Sequence, residues 1–193
     1  MNTNIIKAEI KNSIEVKSLM LEDEDLVNNI HYISQQCINS LKTGGKIIFC
    51  GNGGSFADAQ HLSAEFTSRF MFDRPGLASI ALGTNSSTLT AIGNDYGYEK
   101  IFSRELESIG DKKDFIIAIT TSGNSDNILS LLQTASNLKI PFTVFTGLGM
   151  GKLLNKYHTI NIPSTDTARI QECHILIGHI ICGIVESQLF KEK

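Results

Sequence analysis

Apolar residues in the first forty-odd positions recur at helical spacing. Ile5, Ile6, Ile10 and Ile14 begin a stripe that residues 16–19 continue. Past an acidic stretch at 22–25, Leu26, Ile30, Ile33, Cys37, Ile38 and Leu41 begin a second one. The pattern predicts two helices joined by a solvated connection, the second ended by Thr43-Gly44-Gly45. From residue 46 the period changes. Residues 46–50 are a short apolar run closed by glycines, as a buried parallel strand would be, and similar runs follow at 78–82, 115–120, 142–146 and 159–162. Helical spacing lies between them at 56–71, 126–138 and 149–156. One long helix, from about 168 to 190, carries Ile170, Ile175, Ile177, Ile180, Ile181 and Ile184 on its apolar side. Strands alternating with helices at this interval predict an α/β fold, a three-layer α/β/α domain on a five-stranded parallel sheet. Two striped helices at the start and one at the end exceed what a single sheet must cover, which predicts burial against another subunit.

A chain of 193 residues fits one ordinary domain, here taken as 1–193 with 1–43 as an N-terminal helical extension. Lys and Arg total 17 against 20 for Asp and Glu, a net charge of -3 with no basic run, which argues against a nucleic-acid partner. Cys37, Cys50, Cys173 and Cys182 form no CxxC pair and read as free thiols of a reducing cytoplasm. The first residues, MNTNIIKAEIKNS, carry charges among their apolar positions and do not read as a signal peptide. The longest apolar runs are short or interrupted by Gly and His, so neither a transmembrane helix nor a membrane partner is expected.

In open parallel sheets ligands bind at the carboxyl ends of the strands, so the loops leaving each strand carry the chemistry. Gly51-Asn52-Gly53-Gly54-Ser55 runs from a strand into a helix. Glycines there admit a close ligand, and a helix N-terminus offers free N–H groups to an anion. The run is neither GxGxxG nor a P-loop, and a tight glycine turn without a ligand would look the same. Thr120-Thr121-Ser122-Gly123-Asn124-Ser125 repeats the arrangement with four hydroxyls. Capping of the next helix explains Asn124 or Ser125, but not all of them, and with no cation nearby the loop suits a sugar phosphate held by neutral donors. His61 and Glu65, four apart, share one face of the helix that opens after Ser55, near its ligand end. Gln171 and His179 are eight apart on the last helix, and spacing alone does not bring His179 beside Glu65. A core histidine remains the plain alternative for each lone His. His31 and His158 read as packing or interface, and His174 has no assigned role.

CGNGGSFADAQHLSAEF from Cys50 to Phe66, Arg74-Pro75, Gly93-Asn94-Asp95, the Thr120–Ser125 loop and ARIQECH…GH from Ala168 to His179 resemble the bacterial phosphoheptose isomerases, single sugar-isomerase (SIS) domain enzymes. The resemblance spans nearly the whole chain. It implies an intramolecular oxidoreductase that turns sedoheptulose 7-phosphate into D-glycero-D-manno-heptose 7-phosphate through an enediol, the first step toward ADP- or GDP-heptose for surface polysaccharide. It also implies a homotetramer with active sites shared between subunits, and one zinc ion per subunit. By residue, it implies Glu65 as base and His179 as acid, with His61, Glu65, Gln171 and His179 as metal ligands. Asn52, Gly53, Gly54, Ser55, Glu65, Asn94, Asp95, Thr120, Thr121, Ser122, Ser125 and Gln171 correspond to substrate contacts. Thr120 stands where several relatives carry Ser, and Ala168 where some carry Asp. Gln is a poor zinc ligand, so the implied site is weak or exchangeable rather than structural. The competing reading is a non-catalytic SIS protein that binds a sugar phosphate or a replication-initiator protein; such relatives depart at the catalytic positions, which this chain keeps.

Overall fold

A computed structural model describes residues 3–149, 151–153 and 156–190. Helix α1 (Thr3–Leu21) and helix α2 (Glu24–Lys42) open the chain. Asp23 lies in the expected exposed connection and also caps α2: its carboxylate accepts the Leu26 N–H at 2.9 Å. Strand β1 (Ile47–Gly51), helix α3 (Gly54–Thr67), strand β2 (Ser79–Ala81), helices α4 (Ser86–Tyr96) and α5 (Ile101–Ile109), and strand β3 (Phe115–Ile119) follow. Helix α6 (Asp126–Leu138), strand β4 (Phe142–Thr146), strand β5 (Thr159–Asn161) and helix α7 (Thr167–Phe190) complete the order. Of the helix expected over 149–156, the described part is a 3-10 turn at Gly151–Leu153; residues 150, 154 and 155 lie outside the described residues.

The five strands are all parallel in the order β2-β1-β3-β4-β5. Alternating side chains feed two cores. Ile47, Phe49, Phe115, Ile117, Ile119 and Phe145 pack against α2, α3 and α7, while Ile48, Cys50, Ile116, Ala118 and Val144 face α5 and α6. This is the expected three-layer α/β/α architecture, and all four cysteines are free and buried. By length and composition alone, α7 is long and apolar enough to cross a membrane. It lies instead across the sheet, with Ile170, Cys173, Ile177, Ile181 and Val185 in the core and with His174 and Glu186 buried as well.

Helices α4 and α5 escape the period count for different reasons. In α4 only Ile92 is buried, and the helix starts on Asn85, whose side chain accepts the Ser87 and Thr88 N–H groups. Its signal is a cap rather than a stripe. In α5 the stripe is clear, with Ile101, Phe102 and Leu106 buried, but nine residues give it only two turns to repeat.

Candidate active site

The strand order reverses direction between β1 and β3, so the loops after Gly51 and Ile119, which pair in register, open side by side on one crevice. Gly53 holds φ +54 at the N-cap position of α3, a backbone state that favours glycine. Asn52 and Asn127 exchange amide hydrogen bonds, Nδ2 of each donating to Oδ1 of the other at 2.9 and 2.8 Å, and the Tyr98 hydroxyl donates to Asn52 Oδ1 at 3.2 Å. Asn127, itself 3% exposed, therefore locks the two loops together. Sequence reasoning passed over it because an Asn in the first turn of a helix looks like a cap.

The hydroxyl loop is not used up by capping. Ser125 stands at the N-cap of α6 without a side-chain cap bond, and its hydroxyl lies 3.5 Å from that of Thr120. Ser122 Oγ accepts the Asn124 N–H at 3.3 Å. Ser55 and Thr120 are buried at the floor of the crevice. Gln171 reaches the same end of α3: a Cβ on Gly54 would meet its Nε2 at 2.5 Å.

His61, Glu65 and His179 converge at a second centre. His61 Nε2 lies 3.0 Å from Glu65 Oε1 and 3.2 Å from His179 Nε2. The approach of α7 to α3 depends on Gly178, where a Cβ would overlap the Leu62 side chain. Gly178, next to His179, is the sequence feature that could have pointed to that approach. The Phe70 ring stacks on His179, with centroids 5.5 Å apart and planes 30° apart. Asp58, one turn before His61, has an Oδ2 that is buried without a partner among the described residues. Burial raises its carboxyl above the usual range, and His61 draws it partly back.

One sequence placement needs correction. His61 and Glu65 do share a face, but helical rise puts Glu65 about 16 Å along α3 from Gly54, far from the glycine-loop end. Gln171 reaches that loop end, beside Gly54. Asn94 and Asp95 are exposed on α4 and bond to each other, Nδ2 to Oδ1 at 2.8 Å.

One donor atom from each of His61, Glu65 and His179 lies within 4.8 Å of the other two. Two imidazoles and a carboxylate are the donor types of three-ligand zinc sites that keep an open position. His61 Nε2 faces both an acid oxygen and a second imidazole nitrogen, an arrangement that a shared cation satisfies.

Residues 13–147 match the SIS domain family. A phosphoheptose isomerase of Aneurinibacillus thermoaerophilus is 50% identical over 189 residues, covering 97% of this chain and 96% of that protein. Phosphoheptose isomerase 2 of Campylobacter jejuni is 52% identical over 188 residues, with 96% and 92% covered. The chain belongs to the phosphoheptose isomerase family of SIS-domain proteins. The solved phosphoheptose isomerase of Francisella tularensis superposes with a TM-score of 0.92 at 35% identity, covering 97% of this chain and all of that one.

Proposed function

We propose that this chain isomerises sedoheptulose 7-phosphate and D-glycero-D-manno-heptose 7-phosphate, with Glu65 and His179 moving the protons. The observation that carries the assignment is the convergence of His61, Glu65 and His179 from two helices, which no requirement of the core explains. Starting from the open-chain ketose, Glu65 removes a proton from C1. The electron pair becomes the C1=C2 bond while the carbonyl oxygen on C2 gains a proton. Loss of the C1 hydroxyl proton then makes the aldehyde, and Glu65 returns its proton to C2. His179 serves the two oxygens as acid and base. No electrons leave the substrate.

Asn52, Gly53, Gly54, Ser55, Thr120, Thr121, Ser122 and Ser125 hold the phosphate end, using backbone N–H groups and hydroxyls at the starts of α3 and α6. His61, Glu65 and His179, with Gln171 as a fourth donor, would hold zinc, which supplies Lewis-acid stabilisation of developing oxyanion charge. We also propose a homotetramer with shared active sites. Ile5, Ile6, Ile10 and Ile14 lie exposed on α1, and Met71 and Ile180 are exposed beside His179. The distance between the crevice and the triad in one copy, and the outward position of Asn94 and Asp95, support contributions from a neighbour. The reading takes 1–193 as one SIS domain in which the 1–43 extension supplies a core layer through α2 and a free apolar face through α1. It places the protein in the cytoplasm, consistent with four free thiols.

The test is turnover of sedoheptulose 7-phosphate by the wild type and by Glu65→Gln. The variant keeps shape and hydrogen bonding but loses basicity, so it should bind substrate and lose about 10²–10⁴-fold in kcat. A rate within tenfold of wild type would sink the assignment of Glu65.

A further inference from the structure

Arg74 and Glu186 are 2% and 1% exposed at their side chains and lie outside both centres described above. Glu186 Oε1 accepts the Phe70 N–H at 2.8 Å and Arg74 Nε at 3.0 Å, and Oε2 accepts the Met71 N–H at 2.7 Å. Arg74 Nη2 donates to the Glu65 carbonyl at 2.8 Å, and Nη1 donates to the carbonyls of Phe66 at 2.6 Å and of Ser68 and Pro75 at 3.1 Å. One buried ion pair thus joins α7 to the last turn of α3 and to the loop beyond it. The backbone it grips belongs to the two groups that matter. Glu65 is held through its own carbonyl, and the ring stacked on His179 is held through the Phe70 N–H.

We propose that Arg74 and Glu186 form a positioning clasp that sets Glu65 and His179 in register for proton transfer. Capping the last carbonyls of α3 is ordinary fold chemistry; what the clasp adds is one buried pair that holds the backbone of both Glu65 and Phe70. A buried ion pair is weak stabilisation compared with apolar side chains of the same volume, so its use here answers a need for fixed geometry. Five directed N–H donors from a rigid guanidinium fix the carbonyls at the end of α3 in a way that a methylene chain cannot. A displacement of about 1 Å at a reacting group costs on the order of 10²-fold in rate, which sets the scale of the effect.

The proposal rests on the reading of Glu65 and His179 as the proton-transfer pair, and its test includes a readout that does not need turnover. In Glu186→Gln, kcat should fall about 10- to 100-fold with KM within threefold of wild type. Arg74→Met combined with Glu186→Met removes both charges, so it should fold without a stranded buried ion while kcat stays low. In parallel, the His179 ring protons are followed by NMR in histidine-labelled full-length protein, with Phe70→Leu marking their position once the stacked ring is gone. Glu186→Gln should move the His179 signal toward that position. A Met/Met double variant as active as wild type, or a His179 signal unmoved in Glu186→Gln, overturns the clasp. If the wild type shows no isomerase turnover, the functional reading falls, and the His179 signal alone decides whether the pair positions that ring.

Discussion

His174 should make this protein lose stability in mild acid. The ring is fully buried, its Nε2 donates to the Thr146 carbonyl at 3.3 Å, and its Nδ1 has no partner among the described residues. A carbonyl only accepts, so the neutral tautomer with the proton on Nε2 fits the site. Burial pushes its pKa down to about 4, against a smaller upward pull from the Thr146 carbonyl. In the unfolded chain the same imidazole takes a proton near pH 6.5. Between those values the unfolded state binds the extra proton, so its stabilising effect is complete above pH 6.5 and drains away as pH falls toward 4. At 1.36 kcal/mol per pH unit the whole interval comes to about 3 kcal/mol, of which about 2 kcal/mol is gone by pH 5. His174→Gln keeps a donor for Thr146 but cannot titrate. Urea unfolding of both proteins at one concentration, followed by far-UV circular dichroism from pH 7.5 to 4.5, isolates the effect as the difference between two pH profiles. The wild-type curve should fall more steeply by that amount. Parallel profiles would refute the argument, because acid titration elsewhere is common to both chains.

Ser122→Ala with Ser125→Ala should raise KM for the sugar phosphate strongly and leave the fold intact, each lost hydrogen bond to a charged group costing about 1.5–3 kcal/mol. Unchanged affinity would mean that the loop only starts α6. Gly178→Ala should cost about 1–3 kcal/mol in stability by overpacking against Leu62, and more than tenfold in kcat by lifting His179 away from His61; denaturation and steady-state kinetics check both. His61→Ala should regain part of its activity in excess zinc while Glu65→Gln does not. Equal behaviour of the two variants would mean that Glu65 serves only as a ligand.

The sheet was legible because strands buried on both faces leave continuous apolar runs, and Phe115–Ile119 and Phe142–Thr146 need no tertiary information to be found. Helix α6 was equally plain, since Ile128, Leu131, Leu132 and Ala135 supply a regular stripe. The loops after β1 and β3 announced themselves by glycines and hydroxyls, whereas their lock through Asn127 did not, because it pairs residues 75 positions apart. The meeting of His61 with His179 spans 118 positions and depends on a glycine packing against Leu62, a relation that no period encodes. For the same reason Glu186 reads as the polar side of an apolar helix, although it lies in the interior with Arg74 as its partner.

Helix α7 lies between α2 and α3, elements that end about a hundred residues or more before it starts, and it covers part of the side of the sheet that Phe49, Ile117 and Phe145 share. During synthesis, at about 5–20 residues per second, the earlier helices and all five strands leave the ribosome with the strip between α2 and α3 bare. Until residues 167–190 arrive, the nascent chain presents an open apolar surface, the situation in which chaperones engage and aggregation starts. The same segment delivers His179. A chain truncated before Thr167 would therefore be sticky and chemically inert together, and quality control that removes exposed apolar surface would also remove inactive protein. Maturation of the catalytic centre and escape from surveillance are thereby one event.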